Sequence, residues 1–281
     1  MKKGINIWSF SASPHKDIFR LAKDAGFEGV EVALEETDGE ITMASTERDL
    51  LAIKEQASDE GIQLYSLASR MYFKYWLNSS DPREREKAKD IAKKQLDTAA
   101  ILGCETILVV PGIVNAEFVA PGRVENYAAS YDRSLEAIME LKDYAEEYKV
   151  ELAIENISNK FLLSPLEMRD FIDKVGSPYV GAYFDVGNVM RNGYPEQWIE
   201  ILNKRIMKVH FKDYRQEVGA KGYVDLLAGD VDYPAVIEAL NKIGYDGWVS
   251  PEMIPNYKYY NETLIYNTSR AVDAIIGRDR S

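Results

Sequence analysis

The sequence predicts an α/β fold: a single (β/α)8 barrel, one domain over residues 1–281. Three observations carry that prediction. Short β-rich runs alternate with longer helical patterns from end to end, eight of each, which calls for parallel βαβ units. The length, 281 residues, suits one α/β barrel of roughly 250 residues. No Gly-x-Gly-x-x-Gly segment follows the first strand, so the main signature of an open dinucleotide-binding sheet is missing, and no linker or low-complexity stretch divides the chain.

The elements follow in order. Gly4–Phe10 reads as the first strand, and a helix runs from about Pro14 to Ala25, closed by Gly26 as a left-handed cap. Glu28–Leu34 is the second strand, with a helix from about Thr46 to Glu60 and Gly61 as its stop. Ile62–Ala68 is the third strand, followed by a long helix from Asp81 to Leu102 that ends at Gly103. Thr106–Val110 is a compact apolar strand, and Arg123 to Tyr148 is helical. Val150–Glu155 is the fifth strand; Ser164-Pro165 then supplies a hydroxyl cap and a proline in the first turn of a helix. Val180–Asp185 is the sixth strand, and Trp198 belongs to a short helix. Ile206–Phe211, a helix from Tyr233 to Ile243, Gly247–Glu252 and a last helix from Asn261 to Ile276 complete the set.

Composition narrows the function classes. Hydrophobic residues make up 46% of the chain, enough for a large core, and charged residues 28%. A formal charge of −12 repels nucleic acid phosphates overall, so no nucleic acid partner is expected. The one cysteine, Cys104, excludes an internal disulfide framework and fits a reducing, cytoplasmic setting. Met1–Trp8 lacks a signal-peptide core, and no apolar run approaches the roughly 20 residues of a membrane helix, so no membrane partner is expected.

In a barrel of this kind the C-terminal ends of the strands face the reaction site. The last four strands end in Ala153-Ile154-Glu155, Tyr183-Phe184-Asp185, Lys208-Val209-His210 and Ser250-Pro251-Glu252. Each apolar run thus delivers one possible metal ligand, and the four lie on consecutive strands. A single such residue is more often a cap or an ion-pair partner. Four in a row point to a shared cation. Burying unpaired carboxylates costs several kcal/mol each, and a divalent ion removes that cost. Three oxygen donors and one imidazole suit Mn²⁺, Mg²⁺, Co²⁺ or Zn²⁺.

These residues resemble a known family. Ala153-Ile154-Glu155, Asp185-Val186-Gly187-Asn188, Val209-His210-Phe211-Lys212-Asp213, Ala228-Gly229-Asp230-Val231-Asp232-Tyr233 and Pro251-Glu252-Met253 look like the xylose isomerase-like TIM barrel superfamily of sugar phosphate isomerases and epimerases. The branch most similar to them is the ketose 3-epimerases and L-xylulose-5-phosphate 3-epimerases. The resemblance implies one metal ion, Mn²⁺ foremost, bound by Glu155, Asp185, His210 and Glu252. It implies a sugar or sugar phosphate substrate whose C3 is inverted through an enediolate, with Glu155 and Glu252 exchanging protons on opposite faces. It also implies a homo-oligomer, dimer or tetramer. The same metal site would serve an aldose–ketose isomerase or an inosose dehydratase-type lyase. An endonuclease branch uses three zinc ions and many histidines; this chain has two histidines. The sequence departs from the free-ketose epimerases in two places. Asn188 stands where they carry a histidine, and Asn156–Phe161 lacks their second glutamate.

Further candidates lie in the loops. Asn188, Lys160 and Arg215 are candidate contacts to a sugar hydroxyl or phosphate; Lys160 reads equally well as a solvated lysine, and Arg215 as an ion-pair partner of Glu217 or Asp213. Trp8 and Phe10 line the pocket or belong to the core. The aromatic run from Arg70 to Trp76 suggests a lid, or else a dimer contact or packing over the rim. His15 and Cys104 read as structural, and the acidic pair Glu35-Glu36 as solvated or capping.

Overall fold

The computed structural model describes residues 1–278. Eight parallel strands close into a barrel: β1 (Lys2–Asn6), β2 (Gly29–Ala33), β3 (Gln63–Ala68), β4 (Thr106–Val109), β5 (Glu151–Glu155), β6 (Val180–Asp185), β7 (Ile206–Phe211) and, after a small antiparallel hairpin β8 (Asp213–Tyr214) and β9 (Tyr223–Val224), the last barrel strand β10 (Trp248–Pro251). Each barrel strand pairs with its neighbour in sequence, and β1 closes the circle on β10 through Lys2 opposite Trp248 and Lys3 opposite Val249. Strands sheathed on both faces carry no polar alternation, and β2 and β6 are buried at every position.

The helices pack outside: α1 (His15–Asp24), α2 (Glu47–Asp59), α3 (Pro82–Leu102), α4 (Tyr127–Tyr148), α5 (Pro165–Val175), the single turn α6 (Val186–Val189), α7 (Pro195–Leu202), α8 (Tyr233–Lys242) and α9 (Asn261–Ile276). Their ends follow local chemistry. Thr46 and Asp49 form a reciprocal capping box at the start of α2, and the Ser164 hydroxyl accepts from the Glu167 amide ahead of α5. Gly103 ends α3 at φ +83°, where a side chain would be strained. Apolar faces of these helices meet the outward side chains of the strands, as Phe19, Val30, Leu50, Ile91, Ile107 and Phe171 do in one continuous core. No helix among the described residues is long and apolar enough to cross a membrane.

Four expectations are corrected. The first strand stops at Asn6, because the Asn6 side chain accepts from the Trp8 amide at 2.7 Å and turns Ile7–Ser9 into a 3-10 turn. The fourth long helix starts at Tyr127 under an Asn126 cap, and Arg123 instead joins Glu84 and Glu125. The stretch between β7 and α8 holds the hairpin β8–β9, whose two-residue strands leave no periodic trace in the sequence. The aromatic run after β3 is not a detached lid. Met71, Tyr72 and Trp76 are buried, Tyr72 donates to Gln95 at 2.8 Å, and the Arg123 guanidinium lies 3.7 Å from the centre of the Trp76 ring.

Inside the barrel a small apolar layer of Ala68, Leu108, Ala153 and Tyr183 fills the middle. Beside it lies a polar group drawn from four strands: Asn6, Glu31, Ser66 and His210, all fully buried. That group is the floor of the site.

Candidate metal centre

β5 ends at Glu155, β6 ends at Asp185, His210 is the last but one residue of β7, and Glu252 follows β10 directly. Parallel register sets them at neighbouring heights, with Glu155 opposite Tyr183, Asp185 opposite His210, and His210 opposite Ser250. One ligand atom from each of Glu155, Asp185, His210 and Glu252 lies within 4.8 Å of all the others, and all four residues are buried. The structure therefore brings together the four residues singled out from the strand ends.

His210 Nδ1 faces the carboxylates, 3.3 Å from Glu155 Oε1 and 3.9 Å from Asp185 Oδ2. Its Nε2 faces the other way and lies 2.8 Å from Glu31 Oε1. The Lys212 ammonium lies 3.0 Å from Asp185 Oδ2 and contacts Glu252 Oε2. Asn156 grips the backbone of Asp185: its amide donates to the Asp185 carbonyl and its carbonyl accepts the Asp185 N–H, each at 2.8 Å. Asp185 also caps α6, since its Oδ1 accepts the Asn188 amide at 2.8 Å. These contacts hold the carboxylate in one orientation.

The electrostatics are uneven. Burial pushes the Glu155 carboxyl up to about 7, more than the adjacent His210 and Lys212 pull it down. Burial acts on Glu252 in the same direction, but Lys212 and His210 overcome it and hold that carboxyl below its usual range. The Lys212 amine is pressed down by burial yet ends well above its usual value, because Asp185, Glu252 and Glu155 surround it.

This donor set fits a divalent cation. The buried Asp185 Oδ2 accepts no hydrogen bond, although Lys212 is near it. A fully buried carboxylate oxygen without a donor is rare unless something else neutralises it. Three carboxylates and one imidazole converging on one volume supply the oxygen and nitrogen ligands that Mn²⁺, Mg²⁺, Co²⁺ and Zn²⁺ accept.

A cavity of about 340 Å³ leads from the cluster to solvent, lined by Lys212, Tyr223, Asp225, Glu252, Met253 and Tyr257 among others. Its size suits a small polar ligand. Asn188 is tied to this wall: the Tyr223 hydroxyl donates to Asn188 Oδ1 at 2.6 Å, and the Asn188 amide donates to the Asn156 carbonyl at 3.0 Å. Arg215 is exposed and donates to the Ala228 carbonyl within its own loop; Lys160 is exposed at φ +54°; neither lines this cavity. Trp8 lines a second, wider cleft with Glu35 and Arg70, and the Arg70 guanidinium stacks on its ring at 4.4 Å. Asn256 borders both clefts. His15 packs against Phe19 and pairs with Glu40, and Cys104 is buried, both away from the cluster.

The loop bearing Tyr223 hangs from one carboxylate. Asp213 is buried and accepts the amides of Tyr214 and Leu227 at 2.8 Å and of Val231 at 3.2 Å. Gly229 presses against it so closely that a Cβ would stand 2.1 Å from Asp213 Oδ1.

Comparison with known proteins agrees with this architecture. A family model described as xylose isomerase-like TIM barrel matches residues 19–270. The L-ribulose-5-phosphate 3-epimerase UlaE of Salmonella paratyphi A is 24% identical over 265 residues, which is 92% of this chain and 88% of that protein. Two solved structures share the fold. A D-psicose 3-epimerase determined in the presence of D-fructose superposes with a TM-score of 0.80 at 18% identity, covering 99% of this chain and 100% of that one. The IOLI protein, determined with a binding zinc atom, gives 0.82 at 19% identity over the whole of both chains.

Proposed function

The chain belongs to the xylose isomerase-like TIM barrel family, and from that premise we propose that it is a divalent-metal-dependent epimerase inverting C3 of a ketose or ketose phosphate. The observation that carries this reading is the placement of two glutamates. Glu155 and Glu252 stand at the ends of a four-strand arc, β5-β6-β7-β10, with Asp185 and His210 between them. Inverting a carbon through a planar intermediate requires one group to take a proton from one face and another to return one to the opposite face. Two carboxylates facing each other across one binding volume meet that requirement. The relative UlaE, named for 3-epimerisation of L-ribulose 5-phosphate, supports the same chemistry.

Glu155, Asp185, His210 and Glu252 would hold the ion, which supplies a Lewis acid for a carbonyl and an adjacent hydroxyl. The chain's own residues do the rest. A carboxylate oxygen of one glutamate removes the proton from C3, and the carboxyl of the other delivers one from the far side; the direction of substrate turnover sets which is which. Lys212 and Tyr223, the latter held by Asn188, border the cavity and would meet sugar hydroxyls or a phosphate.

The test is metal-loaded protein incubated with a panel of ketoses and ketose phosphates in D₂O. Deuterium gained at C3 with formation of the C3 epimer supports the proposal. Aldose formation would assign the aldose–ketose isomerase reaction, and loss of water from an inosose the lyase reaction. Glu155→Gln and Glu252→Gln should each lower turnover by at least about 10²-fold, the scale of general acid–base catalysis, while metal stays bound. Unchanged turnover in either variant would refute its role.

A further inference from the structure

We propose that Glu31 is the positioning residue that fixes which nitrogen of His210 faces the cation; this rests on the reading that Glu155, Asp185, His210 and Glu252 share a metal ion. Glu31 lies in the middle of β2, with no solvent exposure, on the far side of the imidazole from the other carboxylates. Its oxygens do not belong to the four-residue cluster. It meets the ring instead, Oε1 to His210 Nε2, at 2.8 Å.

The surroundings leave Glu31 only one way to make that contact. Oε1 also accepts from the Asn6 side-chain amide at 2.5 Å, and Oε2 accepts from the Ser66 hydroxyl at 2.7 Å. Donors from β1 and β3 thus fix the carboxylate in its plane, between the strands that carry them. A carboxylate so held accepts, and the ring nitrogen facing it must carry the hydrogen. With a cation bound, the hydrogen therefore resides on Nε2, and the Nδ1 lone pair is directed at the volume bounded by Glu155 and Asp185, whose oxygens lie 3.3 and 3.9 Å from Nδ1. Tyr183, packed against the imidazole with ring centres 4.5 Å apart and planes tilted by 52°, limits rotation of the ring about its axis. A histidine free to flip or to carry its hydrogen on Nδ1 would present an N–H to the cation for part of the time, and affinity would fall in proportion. Carboxylate partners of metal-bound histidines elsewhere typically contribute 10- to 100-fold in affinity.

The chain has two histidines, so its imidazole nitrogens are readily observed, with His15 as an internal reference. The experiment takes full-length protein labelled with ¹⁵N-histidine and loaded with diamagnetic Zn²⁺, and pairs long-range ¹H–¹⁵N spectra with Zn²⁺ dissociation constants from chelator competition. Wild-type His210 should show a protonated Nε2 and a metal-shifted Nδ1. Glu31→Gln keeps an acceptor but loses the charge and should weaken Zn²⁺ binding about tenfold; Glu31→Ala removes the acceptor and should weaken it about 100-fold, with signals from a second ring state. A merely structural role would lower the melting temperature and leave the order of affinities flat. A wild-type spectrum with hydrogen on Nδ1 overturns the proposal without any variant. Affinities within twofold of wild type in both variants overturn it while leaving the metal site standing. If the wild-type protein binds no Zn²⁺, the metal site itself fails and takes the role of Glu31 with it.

Discussion

A divalent cation bound by the cluster should tighten the whole barrel, because it would join four strands whose three carboxylates otherwise have only Lys212 and His210 between them. A ligand that binds only the folded state adds about 4 kcal/mol when its free concentration is a thousand times its dissociation constant. Unfolding entropy is about 2.1 cal/mol/K per residue, so a chain of 281 residues has an entropy of about 0.6 kcal/mol/K. Dividing one by the other gives a rise in melting temperature of about 7 °C. The assay is differential scanning calorimetry of protein stripped with chelator, dialysed, and scanned with and without excess Mn²⁺. Asp185→Ala, which deletes one of the three clustered carboxylates, should abolish most of the rise. A change below about 1 °C in the wild-type protein, on this same scale, would refute the convergence argument. So would a full 7 °C rise in Asp185→Ala.

Other outcomes follow from the same geometry. Lys212→Met strands Asp185 and Glu252 in a buried setting; losing one partner of such a group costs about 3 kcal/mol, so the chelated variant should melt roughly 5 °C lower and recover at least half of that in Mn²⁺, whereas a wild-type melting temperature would remove Lys212 from the site. Glu155, raised by burial to about 7 in the folded metal-free protein from 4.5, binds a proton more tightly when folded. Its contribution to stability is therefore complete below pH 4.5 and lost as pH rises through 7. The proton also competes with the ion, so Mn²⁺ affinity should strengthen up to about tenfold per pH unit between pH 5.5 and 7 and then level, and Glu155→Gln should flatten both profiles; a pH-independent wild-type affinity contradicts the assignment. Gly229→Ala pushes a methyl into Asp213, and overpacking of this kind costs about 1–3 kcal/mol. Limited proteolysis should then cut between residues 213 and 231 faster than in wild type, and an unchanged digestion rate would show that the loop does not depend on that clasp.

The barrel and the four-residue cluster were legible in the sequence for one reason. In parallel strands sheathed on both faces, any ionisable residue breaks an apolar run, and the rim is where such breaks are tolerated. Glu155, Asp185, His210 and Glu252 each mark such a break. Glu31 marks one too, inside Gly29-Val30-Glu31-Val32-Ala33, but mid-strand, where a sequence search of strand ends does not look. A lone carboxylate in a fully buried strand implies a buried partner, here His210. Lys212 stood in the sequence only as a member of the Val209-His210-Phe211-Lys212-Asp213 motif, with no role attached, because its reach into the cluster depends on the turn after β7. Asn156 and Tyr223 act through hydrogen bonds to Asp185 and Asn188, across 29 and 35 residues of chain, and no local pattern encodes such pairs. The hairpin that carries Tyr223 was missed for the same reason. Its shape is dictated by the amides converging on Asp213, and not by any hydrophobic period.

That hairpin has an implication for how sugar selectivity changes in proteins built this way. Its backbone is fastened at Asp213 and Gly229, while Glu155, Asp185, His210 and Glu252 stand on or directly after the staves of the wall. Residues 215–228 are therefore the natural segment to exchange: chimeras that retain both anchor points should rewrite the rim around the cavity and leave the four-residue cluster in place.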